Sequence, residues 1–278
     1  MPLVVLDFDG TMTDAEIEGG PYRAGYLEDL AVIAGMSAAE VRFRADALDA
    51  EVAANAAEEG WRYQGQIVAP ATVDPYLRLM PVARRILDEA GRLLDEADRQ
   101  RVLDGLLYRY NYRKTITAFR EGAAQVLHAL REHSTWIVTN SDTEAVRAKV
   151  RTLEADSGVA LGWLDGQVVG NAKKYVVDPA FNAVPESLSL PGLRRPVLLR
   201  RRYYFEVLER LRRQAGVGWH DVTVIGDIFE LDLALPLALG ARVGLLQNPW
   251  TPPWECAYVQ GQSRASLLSS LSEVPGFV

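Results

Sequence analysis

The sequence is poor in cysteine, and its single cysteine, Cys256, excludes a disulfide within the chain. A chain without a disulfide framework is typical of a reducing compartment, so we expect a cytoplasmic location. Long apolar runs are also lacking, since none approaches the roughly 18–20 residues that cross a bilayer. The N-terminus has neither the basic segment nor the cleavage site of a secretory signal. We therefore expect neither a membrane segment nor export.

Positive charge is in deficit as well. The formal net charge is −7, with 30 Lys and Arg against 37 Asp and Glu. Nucleic-acid binding requires a broad basic face, so we expect no nucleic-acid partner. The chain is 278 residues long, 49% hydrophobic and 24% charged, which is typical of a globular protein. This length suits one large domain, or a core with a smaller second one.

Three short apolar runs each end in small polar or acidic residues. They cover residues 3–6, 136–138 and 222–225, and are followed by Asp7, Thr139 and Gly226-Asp227. Continuous β-branched runs without alternation suit strands that are buried on both faces of a parallel sheet. Helical spacing of apolar residues lies between them, over residues 120–132 and 204–215. This alternation predicts an α/β fold with a doubly wound parallel sheet.

The residues from about 16 to 114 have a different pattern. They are rich in Ala, Glu, Arg and Leu at helical spacing, and no convincing strand interrupts them. We therefore expect an all-α subdomain of residues 16–114, inserted after the first strand. The α/β core is then formed by residues 1–15 and 115–278.

Polar side chains follow the predicted strands at one edge of the sheet. In open parallel sheets, ligands bind at the carboxyl ends of the strands. These ends bring together Asp7, Asp9, Thr139, Asn140, Asp227 and Asp232. Carboxylates so close together repel one another unless a cation neutralises them. Oxygen ligands without nearby His or Cys favour Mg²⁺ over zinc.

The string Asp7-Phe8-Asp9-Gly10-Thr11, placed directly after an N-terminal apolar strand, resembles the first motif of the haloacid dehalogenase superfamily. Thr139-Asn140-Ser141 resembles the second motif of that family. Gly226-Asp227, followed by Asp232 after four residues, resembles the fourth. The resemblance covers roughly residues 1–15 and 115–248. It implies a Rossmann-like core, with the helical insert as a C1 cap that covers the pocket.

The resemblance also implies a role for each residue of the motifs. Asp7 is the expected nucleophile, which forms an aspartyl-phosphate, and Asp9 is the expected general acid and base. The carboxylates of Asp7 and Asp227 and the backbone carbonyl of Asp9 are expected to hold the Mg²⁺. Asp232 is expected to orient these ligands or a lysine. The phosphate is expected to contact Gly10, Thr11, Thr139 and Asn140.

The aspartate at position 9 also helps to distinguish phosphoryl transfer from dehalogenation. The dehalogenases of the superfamily lack an aspartate at this position, because they need neither a metal nor this general acid. Its presence favours phosphoryl chemistry.

The third motif of the family, a cation that neutralises the aspartyl-phosphate, is ambiguous here. The frequent Lys-Pro pair is missing. Lys173 and Lys174 follow one apolar segment, and Arg200, Arg201 and Arg202 stand ahead of the next predicted helix. Lys173 is our preferred candidate, with Lys174 and the arginines as alternatives.

These residues predict a Mg²⁺-dependent phosphohydrolase that acts on a small phosphorylated metabolite. A phosphotransferase or phosphomutase of the same fold is an alternative, and so is a catalytically silent binding module. A phosphonate hydrolase is disfavoured, because residues 16–113 contain no lysine for an imine. No motif encodes the identity of the metabolite or the oligomeric state.

Overall fold

The computed structural model describes residues 2–55, 57–71, 74–110 and 116–278. These residues form two compact units. The core unit contains the N-terminal residues up to Asp14, Arg62–Ala69 and Phe119–Val278. The helical unit contains Ala15–Trp61 and Pro70–Ala118. The boundary that we predicted between residues 114 and 115 lies outside the described residues.

The strands are β1 (Leu3–Leu6), β2 (Gly60–Tyr63), β3 (Gln66–Pro70), β4 (Ser134–Val138), β5 (Val168–Val169), β6 (Ser187–Leu188), β7 (Val197–Leu198), β8 (Val222–Gly226), β9 (Arg242–Leu246) and β10 (Ala265–Leu268). The helices are α1 (Ala15–Ala34), α2 (Ala38–Ala54), α3 (Pro75–Glu89), α4 (Glu96–Tyr110), α5 (Ala123–Ala129), α6 (Thr143–Ser157), α7 (Arg202–Ala215), α8 (Ala234–Ala238), α9 (Pro253–Gln260) and α10 (Val274–Phe277). Among these helices, none is both long and apolar enough to cross a membrane.

A six-stranded parallel sheet with the order β10-β9-β8-β1-β4-β5 forms the centre of the core unit. Helices cover both of its faces, so the predicted α/β fold with a doubly wound sheet is confirmed. The three strands predicted from the apolar runs are the adjacent strands β8, β1 and β4. Leu6 pairs with Ile137 on one side and with Ile225 on the other, so the chain leaves all three strands at the same edge.

The strand sequences explain why this sheet lies inside the core. All four residues of β1 are fully buried, and all five residues of β8 are buried. These strands have no polar face that could be exposed to water, so they fit a sheet that is covered on both faces. Apolar residues of α5, α6 and α10 pack into the same cluster and hold the strand ends in place.

The helical unit has a hydrophobic core of its own. Apolar faces of α1, α2, α3 and α4 pack together, with Tyr22, Tyr26 and Leu30 fully buried. Helix α2 begins with a capping box between Ser37 and Glu40, which satisfies two backbone N–H groups at its start.

The expectation that no strand interrupts the insert is wrong. Strands β2 and β3 form a two-stranded hairpin within it. Its two-residue turn is Gln64-Gly65, with positive φ angles of 49° and 79°. Glycine suits such a turn, and the flanking aromatic and β-branched residues favour strands. Most of this hairpin, Arg62–Ala69, belongs to the core unit rather than to the helical unit.

Candidate active site

Asp7 follows β1 directly and lies at the centre of the site. Its backbone N–H donates to Ile225 O, 2.8 Å away, which continues the pairing of β1 with β8. The carboxylate is buried and accepts two hydrogen bonds. Lys174 Nζ lies 2.6 Å from its Oδ1, and the Thr11 hydroxyl lies 3.0 Å from its Oδ2.

Three carboxylates meet at this point. Oxygen atoms of Asp7, Asp227 and Asp232 lie within 4.8 Å of one another. The Thr11 hydroxyl also contacts Asp227 Oδ1, at 3.2 Å, so one side chain links Asp7 and Asp227. The ends of β1 and β8 therefore bring together three of the four aspartates named from the sequence. This all-oxygen donor set fits a hard cation such as Mg²⁺.

Gly10 makes the close approach of these groups possible. Its φ of +83° is in the left-handed region, which favours glycine. A Cβ atom at this position would lie 2.5 Å from Asp227 Oδ2. The glycine therefore lets the backbone after Asp9 pass against the Asp227 carboxylate.

Asp232 uses both of its carboxylate oxygens within the protein. Oδ1 accepts from Lys174 Nζ at 2.8 Å, and Oδ2 accepts from the backbone N–H of Ile228 at 3.1 Å. A π-helical turn over Phe229–Leu233 returns this side chain to the end of β8. Both oxygens of Asp232 therefore have donors within the protein, and this residue holds Lys174 and the backbone of Ile228 in place.

Lys174, rather than the preferred candidate Lys173, is the lysine that contacts Asp7. The Lys174 side chain is 1% exposed and bridges Asp7 and Asp232. Lys173 is exposed, and its ammonium group lies 5.1 Å from the centre of the Tyr203 ring. Lys173 adopts a positive φ of 48°, and the side chains of Lys173 and Lys174 therefore lie in different surroundings. Lys174 therefore takes the place of Lys173 as our candidate for the cation of the third motif.

The backbone around Lys174 is held on both sides. Its N–H donates to Asn140 Oδ1 at 2.8 Å, so Asn140 of the second motif fixes the lysine segment. Its carbonyl accepts from Arg201 Nη1 at 2.5 Å. The preceding Ala172 donates to the Thr139 carbonyl at 2.9 Å.

Arg201 is fully buried, unlike its two neighbours in the arginine run. Its guanidinium donates to the carbonyls of Lys174, Leu198 and Val68, the last at 2.7 Å from the hairpin strand β3. Burial lowers the pKa of Arg201 to about 10, although nearby Glu230 and Asp232 oppose this effect. Arg200 instead donates to the Pro179 carbonyl, and Arg202 pairs with Glu206. Arg201 therefore supports the lysine segment rather than contacting Asp7.

Burial and neighbouring charges shift the pKa of Asp7, and that of Lys174, in opposite directions. Burial raises the pKa of Asp7 to about 7, even though Lys174 lowers it. Burial alone would lower the pKa of Lys174, but Asp232 and Asp7 outweigh this effect and raise it above its usual range. Lys174 is therefore the permanent positive charge of the site.

Asp9 lies at the side of this cluster and is partly exposed. Thr139 Oγ1 donates to its Oδ2 at 3.2 Å, as the convergence of the first and second motifs predicts. Lys149 Nζ, from α6, lies 2.8 Å from its Oδ1. Lys149 was missed in the sequence, because it lies outside the motifs and follows no pattern that marks a site. Arg201 was named as an alternative cation, but its contacts with three backbone carbonyls were not predicted.

A second buried charged cluster adjoins the π-helical turn. Arg195 forms two hydrogen bonds with the fully buried Glu230, at 2.8 and 2.7 Å. Glu255 is also fully buried and accepts from the backbone N–H of Phe229 at 3.3 Å. Burial, reinforced by Glu230, raises the pKa of Glu255 well above its usual value.

Comparison with known proteins agrees with this geometry. The family model of haloacid dehalogenase-like hydrolases matches residues 1–240. A structure described as a predicted phosphoglycolate phosphatase from Haemophilus somnus is 13% identical, with a TM-score of 0.52 over 99% of this chain and 96% of that one. A conserved haloacid dehalogenase-like protein of unknown function from Agrobacterium tumefaciens is 16% identical, with a TM-score of 0.51 and the same coverage of both chains. No curated protein matches the sequence.

The two structures support the fold. The family model supports the assignment, because its match covers strands β1, β4, β5 and β8 of the sheet and the motif residues Asp7, Thr139 and Asp227. The chain belongs to the haloacid dehalogenase-like hydrolase family.

Proposed function

We propose that the protein is a Mg²⁺-dependent phosphohydrolase that cleaves a small phosphomonoester through an aspartyl-phosphate on Asp7. The observation that carries this proposal is the meeting of three carboxylates, with oxygen atoms within 4.8 Å, around a buried lysine 2.6 Å from Asp7. Such a cluster combines a nucleophile, a permanent cation and oxygen ligands for a metal in one place.

In this proposal an oxygen of Asp7 attacks phosphorus while the bond to the leaving alcohol breaks. Lys174 balances the negative charge of Asp7 and of the arriving phosphate. Asp9 gives a proton to the leaving oxygen, and then takes a proton from the water that hydrolyses the aspartyl-phosphate. The enzyme returns to its starting state, with inorganic phosphate and an alcohol as products.

The residues that would hold Mg²⁺ are Asp7 and Asp227 through carboxylate oxygens and Asp9 through its backbone carbonyl. When bound, the ion neutralises the repulsion between the Asp7 carboxylate and the phosphate and stabilises the charge of the transition state. Asp232 contributes by holding Lys174, which contacts its Oδ1 at 2.8 Å.

The second motif and the first glycine are proposed to bind the phosphate. Thr139 and the side-chain amide nitrogen of Asn140 are the proposed donors to phosphoryl oxygens, and the Thr139 hydroxyl would turn from Asp9 Oδ2 to the phosphate. The Gly10 N–H already donates to Thr13 Oγ1 at 3.1 Å, so Gly10 is proposed to contact the phosphate without donating to it. Thr11 is fully buried and already contacts both Asp7 and Asp227, so we propose that it positions these carboxylates instead of contacting the substrate.

The proposed substrate is a small phosphorylated metabolite in the cytoplasm, where the single Cys256 stays reduced. The Haemophilus somnus structure, described as a predicted phosphoglycolate phosphatase, is compatible with a substrate of this size. The aspartate at position 9 favours phosphate esters over haloacids.

The test is hydrolysis of p-nitrophenyl phosphate with Mg²⁺ and with a chelator. We expect activity only with Mg²⁺, a loss of at least about 10³-fold in Asp7→Asn, and weaker Mg²⁺ binding by Asp227→Asn in calorimetry. Release of phosphate in less than stoichiometric yield when an acceptor alcohol is added would indicate a phosphotransferase instead. A folded wild-type protein that is inactive on a broad panel of phosphate esters would contradict the proposal.

A further inference from the structure

Asp227 lies between a paired strand and an unusual turn. Before it, the last residue of β8, Gly226, pairs with Leu245 of β9, so the sheet fixes the backbone on that side. After it, the chain enters the π-helical turn Phe229–Leu233. Such turns are rare and occur frequently at functional sites. The position of the Asp227 carboxylate therefore depends on the groups that hold this turn.

Buried side chains hold the turn at its start and at its end. At its start, the backbone N–H of Phe229 donates to Oε2 of the fully buried Glu255 at 3.3 Å. At its end, the Tyr204 hydroxyl donates to the Asp232 carbonyl at 2.9 Å. In its middle lies the carboxylate of Glu230, which is also fully buried. A buried charge is costly unless it is paired and hydrogen-bonded, so the middle of the turn depends on the partner of Glu230.

Arg195 is that partner. Its Nη1 and Nη2 atoms lie 2.8 and 2.7 Å from the two oxygens of Glu230, which is the two-point contact that a guanidinium makes with a carboxylate. Arg195 comes from the loop between β6 and β7, which no motif includes. Pro196 restricts the backbone of Arg195, and the next residue, Val197, is fully buried in β7. Arg195 is therefore a fixed point to which Glu230 ties the turn.

We infer that Arg195 is a positioning residue, which acts through Glu230 to hold the turn after Asp227 in the arrangement that binds Mg²⁺. This inference rests on the proposed function, in which Asp227 is a ligand of that ion. Arg195 acts on the ion through the protein, as the partners of metal ligands do when they orient those ligands.

The direction of the effect distinguishes positioning from charge. Arg195 is positive, and its removal would leave the negative Glu230 unbalanced three residues after Asp227. If Arg195 acted only through its charge, a variant without it would bind a cation as tightly as the wild type or more tightly. If Arg195 holds the turn, the variant binds Mg²⁺ more weakly.

The experiment measures the Kd of Mg²⁺ by calorimetry, at a temperature where each variant is folded. We expect Arg195→Met to raise this Kd on the order of 10-fold, because it removes a group that orients a metal ligand. Arg195→Lys keeps the charge and one hydrogen bond, so it should recover part of the loss. The control Arg194→Met removes the same charge from the exposed neighbouring residue and should change the Kd by less than about twofold.

A double variant shows whether the lost contact or an unpaired charge weakens the binding. Breaking a buried ion pair from one side destabilises a protein strongly, whereas replacing both members by apolar residues often does not. Arg195→Met combined with Glu230→Leu should therefore unfold at a higher temperature than Arg195→Met alone. Its Mg²⁺ binding should stay weak, because the contact that holds the turn is still missing.

Three results overturn the inference: unchanged or tighter Mg²⁺ binding by Arg195→Met, an equal weakening by Arg194→Met, or a wild-type Kd in the double variant. If Arg195→Met does not fold, the Kd of the double variant decides alone. These results leave the proposed function intact, because Mg²⁺ binding and phosphatase activity of the wild type test that function. A wild-type protein that binds no Mg²⁺ would instead contradict the proposed function itself.

Discussion

Two neighbouring lysines show how closely the chemistry depends on single residues. Lys174 is buried between Asp7 and Asp232, whereas Lys173 is exposed beside Tyr203. The family resemblance predicted that a cation is needed, with Lys173 preferred and Lys174 or an arginine of the run 200–202 as alternatives. The residue types alone could not choose between two adjacent lysines. The positive φ of Lys173, 48°, decides which side chain enters the site, and no residue type in the segment marks that turn.

Substituting Lys173 and Lys174 in separate variants tests which lysine supplies the positive charge of the site. We expect Lys174→Met to lower kcat by about 10²–10³-fold, because it removes the charge that balances the phosphorylated Asp7. Lys173→Met should change kcat by less than about threefold, since an exposed lysine contributes little. Steady-state kinetics with p-nitrophenyl phosphate check both values, with thermal unfolding to show that each variant is folded. A larger loss in Lys173→Met than in Lys174→Met would contradict the assignment.

A buried acid outside the motifs makes stability depend on pH. The pKa of Glu255 is raised by burial and by Glu230, so the folded protein favours its protonated form. For an acid with a raised folded-state pKa, the contribution to stability is full below the ordinary value of 4.5 and is lost as the pH rises towards the folded-state value.

The variant Glu255→Gln tests the direction in which the ionisation of Glu255 changes stability with pH. The amide keeps an oxygen that accepts from Phe229 but cannot ionise, so it should raise Tm relative to the wild type at about pH 8 and have little effect at about pH 5. Thermal unfolding across this range provides the measurement. If the Tm of the variant instead exceeded that of the wild type most at acidic pH, the folded protein would favour the carboxylate of Glu255 and not its neutral acid.

At the scale of elements, the hairpin β2–β3 and the π-helical turn after β8 are the departures from expectation. The hairpin lies in a segment of strong helical composition, which hid its short strands, although Gly65 in a two-residue turn was a usable signal. The π-helical turn could not be predicted, because Asp232 within it is held by a tertiary contact with Lys174 as well as by the local contact with Ile228. Helix α7, in contrast, follows its apolar spacing and ends at Gly216, which has a φ of +67°.

Arg201 joins strand β3, strand β7 and the segment around Lys174, because it donates to the backbone carbonyls of Val68, Leu198 and Lys174. Arg201→Met should destabilise the protein by about 3 kcal/mol or more, because it leaves buried carbonyls without donors. The control Arg202→Met should have an effect within about 0.5 kcal/mol, since its side chain is exposed. Urea unfolding measures both changes. Equal stability of the two variants would mean that the hydrogen bonds of Arg201 do not support this region.

At the scale of the whole molecule, the sheet and the meeting of the acidic residues were predictable from the sequence. Three apolar runs gave the central strands, and parallel pairing then requires Asp7, Thr139 and Asp227 to share one edge. The outer strands β9 and β10 were less apparent, because their runs are not followed by residues of a motif. The contacts of Lys149 and Arg201 depend on how distant elements pack, which local patterns do not encode.

The central claim, that Asp7 carries the phosphoryl group, is tested most directly by trapping the intermediate. The enzyme is mixed with Mg²⁺ and p-nitrophenyl phosphate, quenched in acid during turnover and treated with borohydride, which reduces an aspartyl-phosphate to homoserine. Mass spectrometry of the peptides then identifies the modified residue. The account predicts homoserine at position 7, dependent on substrate and on Mg²⁺. Turnover with Asp7 unmodified, or with the phosphoryl group on another residue, would contradict it.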